Sequence, residues 1–329
     1  MNDASHLPAA QGPPAPVFTY QITKYDPADR DEHGAYIGGE DVLSDHGKVE
    51  AAYLEAITAF AADAGVTTLS VREPGIAGFV NFGVEPTIDG NGLRGLFPGG
   101  IEDFHDGAVV SLHVARELVR VMLRDNGAWC RLEADDQFTI HIGYDQYLYI
   151  GTSTPSDNAQ AAIRELGLFV QRISASPYAW APDDPPYPPA DPAFWTDVAS
   201  IMAESGSLLL EATAVRNGSR WHRLFPGNID SVRAGLLPRS VLQLWPNLST
   251  NIPGILALLK GDLVQVVWED STGKISSEWF DPDSFADARA ELATARAATV
   301  MSAYVDDSHP LLSAVLPDAD GVVRARWSQ

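Results

Sequence analysis

The chain has 329 residues, 45% of them hydrophobic and 20% charged, with a formal net charge of −22 and a single cysteine, Cys130. That length holds two ordinary domains, each with a core of its own. The charge repels nucleic-acid backbones and anionic membranes and draws basic proteins or cations, so a general nucleic-acid binder is disfavoured, no DNA partner is expected, and one cysteine excludes an intramolecular disulfide.

Residues 1–17 lack the basic start and apolar core of a signal peptide and read as a disordered tail. No run approaches the roughly 20 apolar residues of a membrane span, so a cytoplasmic protein is expected. "VFTYQITKY" from Val17 alternates and is rich in β-formers, which predicts a strand. "KVEAAYLEAITAFAADAG" puts Ala52, Leu54, Ile57, Phe60 and Ala61 near one face of a helix that Gly65 stops. "VTTLSV" predicts a strand, and "VNFGVEPTIDGNG" a long glycine-rich connection. "SLHVARELVRVMLRDNG" predicts a second helix with Ala115, Leu118, Val119 and Met122 inward, closed by Asn126-Gly127. Strands broken by an acidic turn at Asp135-Asp136 follow, and "SDNAQAAIRELGLFVQRI" predicts a third helix.

"APDDPPYPPADP" (Ala181 to Pro192) carries six prolines in twelve residues, a stiff extended stretch unfit for helix or sheet. It divides the chain into a first domain, 18–178, a linker, 179–192, and a second domain, 193–329. In the second domain "AFWTDVASIMAESG" predicts a helix, "LLLEATAV" and "SVLQLWPNL" strands, and "IPGILALLKGD" a short helix. "LVQVVWEDSTGKISSEWF" predicts a hairpin, "DSFADARAELATARAATVMSAY" a long helix, and "LLSAVLPDADGVVRARW" a terminal hairpin.

"LRGLFPGGIEDF" and "WHRLFPGNIDSV" place the same Leu-Phe-Pro-Gly phrase at Leu96 and at Leu224. "AFAADAG" and "SIMAESG" close helices before strands, and Asp157–Tyr178 and Asp283–Tyr304 span equal lengths. Three matches in one order point to a divergent tandem duplication. The expected fold class is therefore α+β: two related α/β-sandwich-like domains, each a small, mainly antiparallel sheet with packed helices.

Lys24 to Glu50 is the most polar stretch, with eight acids, two histidines and three bases. Asp26, Asp29, Asp31, Glu32 and His33 offer oxygen and imidazole ligands, and His33 with His46 a two-histidine set. The spacing nevertheless lacks the ligand and glycine pattern of a calcium loop. A solvated loop, with Asp45 or Ser44 capping the next helix, fits better, and no metal or cofactor is expected. The same carboxylates suit a basic partner, because desolvated pairs with Arg or Lys give specificity and steering raises the association rate. Arg116, Arg120 and Arg124 fall at i, i+4 and i+8 on one helix face, with Arg131 beyond, a geometry open to phosphate but equally to acids of the same domain. "FTIHIGYDQYLYIG" sets His141, Tyr144, Asp145, Tyr147 and Tyr149 on or between strands, where exposed rings stack bases and buried ones pack on helices. Cys130 in "GAWCRLE" reads as a buried small hydrophobe. No nucleophile elbow, Walker loop, zinc-protease helix, dinucleotide fingerprint or C-x-x-C is present.

"KYDPADRDEHGAY", "SDHGKVEAAYL", "VREP", "LRDNGAWCRLE" and "GYDQYLYIG" resemble a family of uncharacterised actinobacterial proteins that carry an "RNA-binding protein" label. The resemblance covers residues 18–178. It implies RNA binding, for which Arg116, Arg120, Arg124 and the strand tyrosines are the suited residues, and the second domain here departs from it.

The sequence thus leads to a non-catalytic, acidic cytoplasmic protein that binds a basic protein partner. An inhibitor of the immunity or antitoxin type, directed against a toxin or nuclease, fits this reading, with Asp26, Asp29, Asp31, Glu32 and Asp45 as contacts. RNA binding through Arg116, Arg120, Arg124 and Tyr147 is the alternative. A hydrolase or transferase using His141, Asp145 or the 26–46 cluster is the third.

Overall fold

The computed structural model describes residues 16–39, 47–76, 92–99, 103–143, 146–178, 187–302 and 309–326. The chain divides into two compact units, Met1–Pro186 with Val215–Asn217, and Tyr187–Ala214 with Gly218–Trp327. Both are α+β with antiparallel sheets. No helix among the described residues is long and apolar enough to cross a membrane.

The first unit runs β1 (Phe18–Thr23), a 3-10 turn (Pro27–Asp29), α1 (Gly47–Ala64), β2 (Thr68–Ile76), β3 (Val109–Ser111), α2 (Leu112–Leu123), β4 (Ala128–Ala134), β5 (Phe138–Ile142), β6 (Leu148–Thr152), α3 (Asp157–Glu165) and β7 (Phe169–Ile173). Its strands form one seven-stranded sheet in the order β3-β2-β4-β5-β6-β1-β7. Strand alternation sends Tyr20 and Ile22 of β1, Leu69 and Val71 of β2, Leu132 of β4, and Ile140 and Ile150 to a single apolar core. α1 covers that face with Ala52, Leu54, Ile57, Phe60 and Ala61, and the Phe60 ring lies 5.0 Å from Tyr20. Burying side chains of this size contributes roughly 1.5–3 kcal/mol each. Ser111 caps α2 by accepting from the Val114 amide at 3.3 Å. The opposite face of the sheet carries Gln21, Arg72, Trp129, Arg131, Glu133, His141 and Tyr149, and this polar side holds the chemistry described below.

The expected third helix ends early. α3 stops at Glu165, Gly167 takes φ +83°, and Phe169–Ile173 becomes the edge strand β7, paired with β1 from Thr19↔Ile173 to Thr23↔Phe169. A left-handed glycine terminates the helix, and the β-forming Phe-Val-Gln-Arg-Ile run finds β1 unpaired on that side. Most of the expected glycine-rich connection from Val80 lies outside the described residues.

The second unit runs α4 (Pro192–Ser205), β8 (Leu208–Thr213), β9 (Arg220–Leu224), α5 (Ile229–Ala234), β10 (Val241–Pro246), α6 (Ile252–Leu256), β11 (Val264–Glu269), β12 (Ile275–Phe280), α7 (Phe285–Leu292), β13 (Ala297–Ser302) and β14 (Leu312–Val315). One sheet has the order β14-β10-β8-β9 and the other β12-β11-β13. Leu208, Leu210, Leu242 and Leu244 pack on α4 through Trp195, Val198 and Met202. Val264, Val266 and Phe280 pack on Ile255 of α6 and on Phe285 and Leu292 of α7. Leu209, Trp221, Val267, Ala297 and Met301 fill the space between the two sheets. The layers are therefore helix, sheet, sheet, helix, and Arg223 of β9 ties the sheets through Glu269 of β11 at 2.7 Å.

The long helix expected over 283–304 is another correction. α7 ends at Leu292, and Ala297–Ser302 pairs with β11 from Glu269↔Ala297 to Val264↔Ser302. β11 needs a second neighbour, and tertiary pairing overrides the helical propensity of the alanines. β9 and α5, on either side of the second Leu-Phe-Pro-Gly phrase, are not among the expected elements. The expected terminal hairpin has one strand among the described residues, β14, followed by a turn closed by Asp318 N to Val322 O at 3.0 Å. The end of the proline-rich stretch belongs to this unit: Ala190 N reaches Val315 O at 2.7 Å, and Asp191 caps α4 through the amides of Ala193 and Phe194.

From α1 and from α4 the two units share an order of elements, and β3-β2-β4 and β9-β8-β10 share a pairing order. Beyond that the sheets differ, one against two, and a duplication is not shown. The repeated phrase also packs differently: Phe97 is buried and Phe225 is exposed.

Candidate functional site: an ordered acidic loop and the polar face of the first sheet

Residues 24–39 leave β1 and fold into a tight double turn. Asp26 accepts from the Ala28 amide at 2.8 Å, with Pro27 fixing the first position of the 3-10 turn. Asp31 Oδ1 accepts from the amides of His33 and Ala35, both at 2.9 Å, and Gly34 supplies the positive φ that this reversal requires. Ile37 N returns to Asp29 O at 2.8 Å, so the loop carries its own hydrogen bonds. Asp26 and Asp31 are thus engaged in shaping it. Asp29 and Glu32 face solvent, with the Glu32 side chain 87% exposed and His33 beside it at 3.5 Å. Ile37 is 69% exposed. Asp45, with Ser44 and His46, lies outside the described residues.

Behind the acids stands a group of rings. Tyr25 is 4.7 Å from Tyr36 and 5.8 Å from Tyr147, and Tyr147 stacks at 6.5 Å on Tyr149. Arg30 donates to the Tyr147 hydroxyl, and the Lys24 ammonium sits 5.0 Å over the Tyr25 ring while donating to Gln146 at 3.2 Å. The loop therefore presents two solvent-facing carboxylates and an exposed isoleucine next to a group of aromatic rings.

The arginine stripe turns inward. Arg124 binds Glu50 of α1 with Nε to Oε2 at 2.7 Å and Nη2 to Oε1 at 3.0 Å. Arg120 Nε reaches the same carboxylate at 3.0 Å and also donates to Glu117. Arg116 lies 3.9 Å from Glu55. Each stripe arginine faces a carboxylate of its own unit, and the stripe fastens α2 to α1.

On the polar face the structure gathers residues that sequence reasoning missed. β2 bulges between Arg72 and Gly75, which puts Glu73 at φ +49°. The bulge lets the Glu73 amide donate to Asp106 at 2.8 Å while its carboxylate meets Arg131 at 3.0 Å. Arg72 pairs with Asp106 at 3.1 Å and lies 3.8 Å from Glu133, all three buried. Alternation along β2 and β4 marks Arg72, Arg131 and Glu133 as one face. The bulge that redirects Glu73 has no local sequence signature.

His141 sits among these groups, 6% exposed. Tyr178 stacks on it at 4.5 Å with planes 12° apart, and the edge of Trp129 approaches at 5.2 Å and that of Tyr149 at 6.2 Å. Burial first, and the Arg131 cation second, push its pKa down to about 3, so the imidazole is neutral near pH 7. Asp145, its expected acid–base partner, lies outside the described residues. Cys130 is buried and its thiol is pushed well up by burial, as suits a core residue. Among the described residues no three His, Cys, Asp or Glu side chains are grouped to hold a metal ion.

In the second unit Glu211 is buried on β8, accepting from Ser219 Oγ at 2.7 Å and from Trp245 Nε1 at 3.1 Å. Burial raises its pKa against those two hydrogen bonds. Set against protein-family models, curated proteins and solved structures, the chain matches none.

Proposed function

We propose that this protein binds a basic protein partner without catalysing a reaction, through the loop at 24–39. An inhibitor of the immunity or antitoxin type, acting in the cytoplasm on a toxin or nuclease, is the form this takes. The observation that carries it is the composition of the loop surface. The carboxylates of Asp29 and Glu32 and the side chain of Ile37 are exposed on one loop, Ile37 N is bonded to Asp29 O, and the loop's Tyr25 and Tyr36 pack together with Tyr147. Rigid tyrosines with an apolar centre and an acidic rim suit Lys and Arg side chains, which meet both carboxylate and ring face. The net charge of −22 extends the attraction beyond contact range. Asp26 and Asp31 act as the loop's internal braces rather than as contacts. The test is affinity capture from the native lysate at low salt, with the wild-type chain and with Asp29→Lys/Glu32→Lys. A basic protein retained by the first and released from the second supports the proposal; equal retention by both sinks the loop as the site.

RNA binding is the second reading, favoured by the run of rings from Tyr25 through Tyr147 to Tyr149 with Lys24 and Arg30 beside it. The arginine stripe adds little to it while Glu50, Glu55 and Glu117 hold those guanidinium groups. Nucleic acid that co-purifies at low salt and leaves as salt rises would favour this reading.

A further inference from the structure

After β7 the chain folds back as a short strap, Ser174–Tyr178, over the polar face of the sheet. Its last residue holds it there. The Tyr178 ring lies flat on His141, the Tyr178 carbonyl accepts from Arg131, and Ser176 Oγ accepts from the Tyr178 amide at 3.2 Å. Gly143 makes room for the ring: a Cβ there would lie 2.5 Å from Cε2 of Tyr178 and 2.9 Å from Cε2 of Tyr149. The rest of the strap is little engaged, with Ser174, Ala175 and Pro177 exposed. A segment with so few buried side chains opens before the sheet beneath it does.

Under the ring sits a group that has no place for a second proton. His141 is 6% exposed, and its Nδ1 is buried without a hydrogen-bond partner among the described residues. In either tautomer the imidazolium would carry an N–H at Nδ1 that no acceptor meets. The groups around it do not compensate. β4 presents Trp129 and Arg131, and the register that pairs Leu132 with Ile140 sets Arg131 opposite His141. β6 presents Tyr149, the direct cross-strand partner, and the strap presents Tyr178. The nearby acids serve the arginines: Glu73 of β2 lies on Arg131 at 3.0 Å, and Asp106 and Glu133 face Arg72 at 3.1 and 3.8 Å. The Tyr178 ring face would attract an imidazolium, but lost hydration and the Arg131 cation outweigh it, as the pKa pushed down to about 3 reflects.

We propose that the strap Ser174–Tyr178 is an acid-weakened latch, closed over neutral His141 and held open once water and a proton reach the uncovered imidazole. Lifting the strap frees the Arg131 guanidinium from the Tyr178 carbonyl and exposes Trp129, His141 and Tyr149, while the sheet stays folded. The latch does not rest on the acidic loop, and its test uses no partner protein, so either proposal can fail alone.

The test follows amide hydrogen exchange by NMR in the full chain and in His141→Phe, which keeps a ring under Tyr178 and cannot titrate. Between pH 7 and pH 5 the protection of the Tyr178 amide in the wild type is expected to fall about 20-fold, the factor by which a histidine freed to its ordinary value gains its proton. In His141→Phe it is expected to change by less than about twofold. The Leu132 and Ile140 amides should stay better protected than Tyr178 at both pH values, which marks the opening as local. An equal change in the two chains overturns the proposal, and so does a Tyr178 amide protected as well as the sheet, because the strap then opens only with the whole unit. Should His141→Phe not fold, 3-fluorotyrosine in the wild-type chain, with Tyr178→Phe assigning its signal, reads the same opening. Exchange broadening of that signal that grows as the pH falls supports the latch, and a signal unchanged from pH 7 to pH 5 refutes it.

Discussion

Glu50 and Arg124 are joined by two hydrogen bonds, Nε to Oε2 at 2.7 Å and Nη2 to Oε1 at 3.0 Å, on a carboxylate that also accepts from Arg120. One acid on α1 thus holds two arginines of α2. Removing it leaves both guanidinium groups facing a largely buried gap, and breaking a buried pair costs about 3–5 kcal/mol. Arg120 and Arg124 keep 33% and 22% of their side chains exposed and turn partly to water, which sets the expectation for Glu50→Ala below that range, at about 2–3 kcal/mol. The Arg116–Glu55 contact is longer, 3.9 Å, and its acid is exposed where Glu50 is buried, so Arg116→Ala should stay within about 0.5 kcal/mol. Urea midpoints of the two variants decide this, and equal losses would mean that Glu50 is not the centre of the cluster.

The neutral His141 ties the stability of the first unit to pH. Its folded pKa, near 3, lies below the ordinary value of 6.5, so the folded state binds fewer protons than the unfolded chain between them. The stabilisation on its account is complete above 6.5 and is lost as pH falls toward 3, at up to about 1.4 kcal/mol per pH unit. The groups facing it are Arg131, Trp129, Tyr149 and Tyr178. Replacing it by phenylalanine keeps a ring for Tyr178 and removes the titration. The wild type should therefore lose more stability than His141→Phe between pH 7 and pH 5, and parallel curves would refute the buried neutral imidazole.

The parts legible in the sequence were those with a local cause. Helical spacing at Ala52, Leu54, Ile57, Phe60 and Ala61 names the buried face of α1, and alternation around Tyr20 and Ile22 names β1. What escaped depended on distant partners. Phe169–Ile173 and Ala297–Ser302 are strands because β1 and β11 each have an open side, and no window of sequence contains that information. The same holds for the site. The acids of the 26–32 loop were visible as charges, but which brace the loop and which face solvent follows from the turn at Gly34. Arg72, Asp106, Glu133 and Tyr178 converge only through the bulge at Glu73 and the strap after β7.

Glu211 of the second unit contributes a pH response opposite in sign to that of His141. Burial raises its folded pKa above the ordinary 4.5, so the folded state there favours the proton. The stability on its account is greatest below 4.5 and is lost as pH rises through the raised value. Glu211→Gln removes the titration and keeps an acceptor for Ser219, though its amide meets the Trp245 donor unfavourably. His222, opposite Leu210 on β9, has its pKa lowered by burial and then by Arg220, so it costs both chains stability as pH falls below 6.5. From pH 7 toward pH 4.5 the protection factors of the Leu210 and Leu244 amides should therefore change in favour of the wild type relative to the variant, and an equal change in both would assign the effect to other groups.

The acidic loop separates shape from contact, because two of its carboxylates are internal acceptors and two are not. Asp31 holds the amides of His33 and Ala35, and its replacement by alanine leaves both without their acceptor at the turn where Gly34 reverses the chain. Asp31→Ala should therefore speed proteolysis and amide exchange across 30–37 and weaken capture of the basic partner indirectly, through lost order. Asp29→Lys/Glu32→Lys should leave exchange in the loop unchanged, since neither side chain accepts from those amides, and still abolish capture by reversing the field that the partner meets. Raising the salt should weaken wild-type capture progressively, because exposed charges are screened over about 8 Å at physiological ionic strength. A loop whose exchange quickens in the charge-reversed variant would show that its acids brace the turn after all. A partner still captured by that variant, with the loop intact, would move the binding surface elsewhere on the molecule.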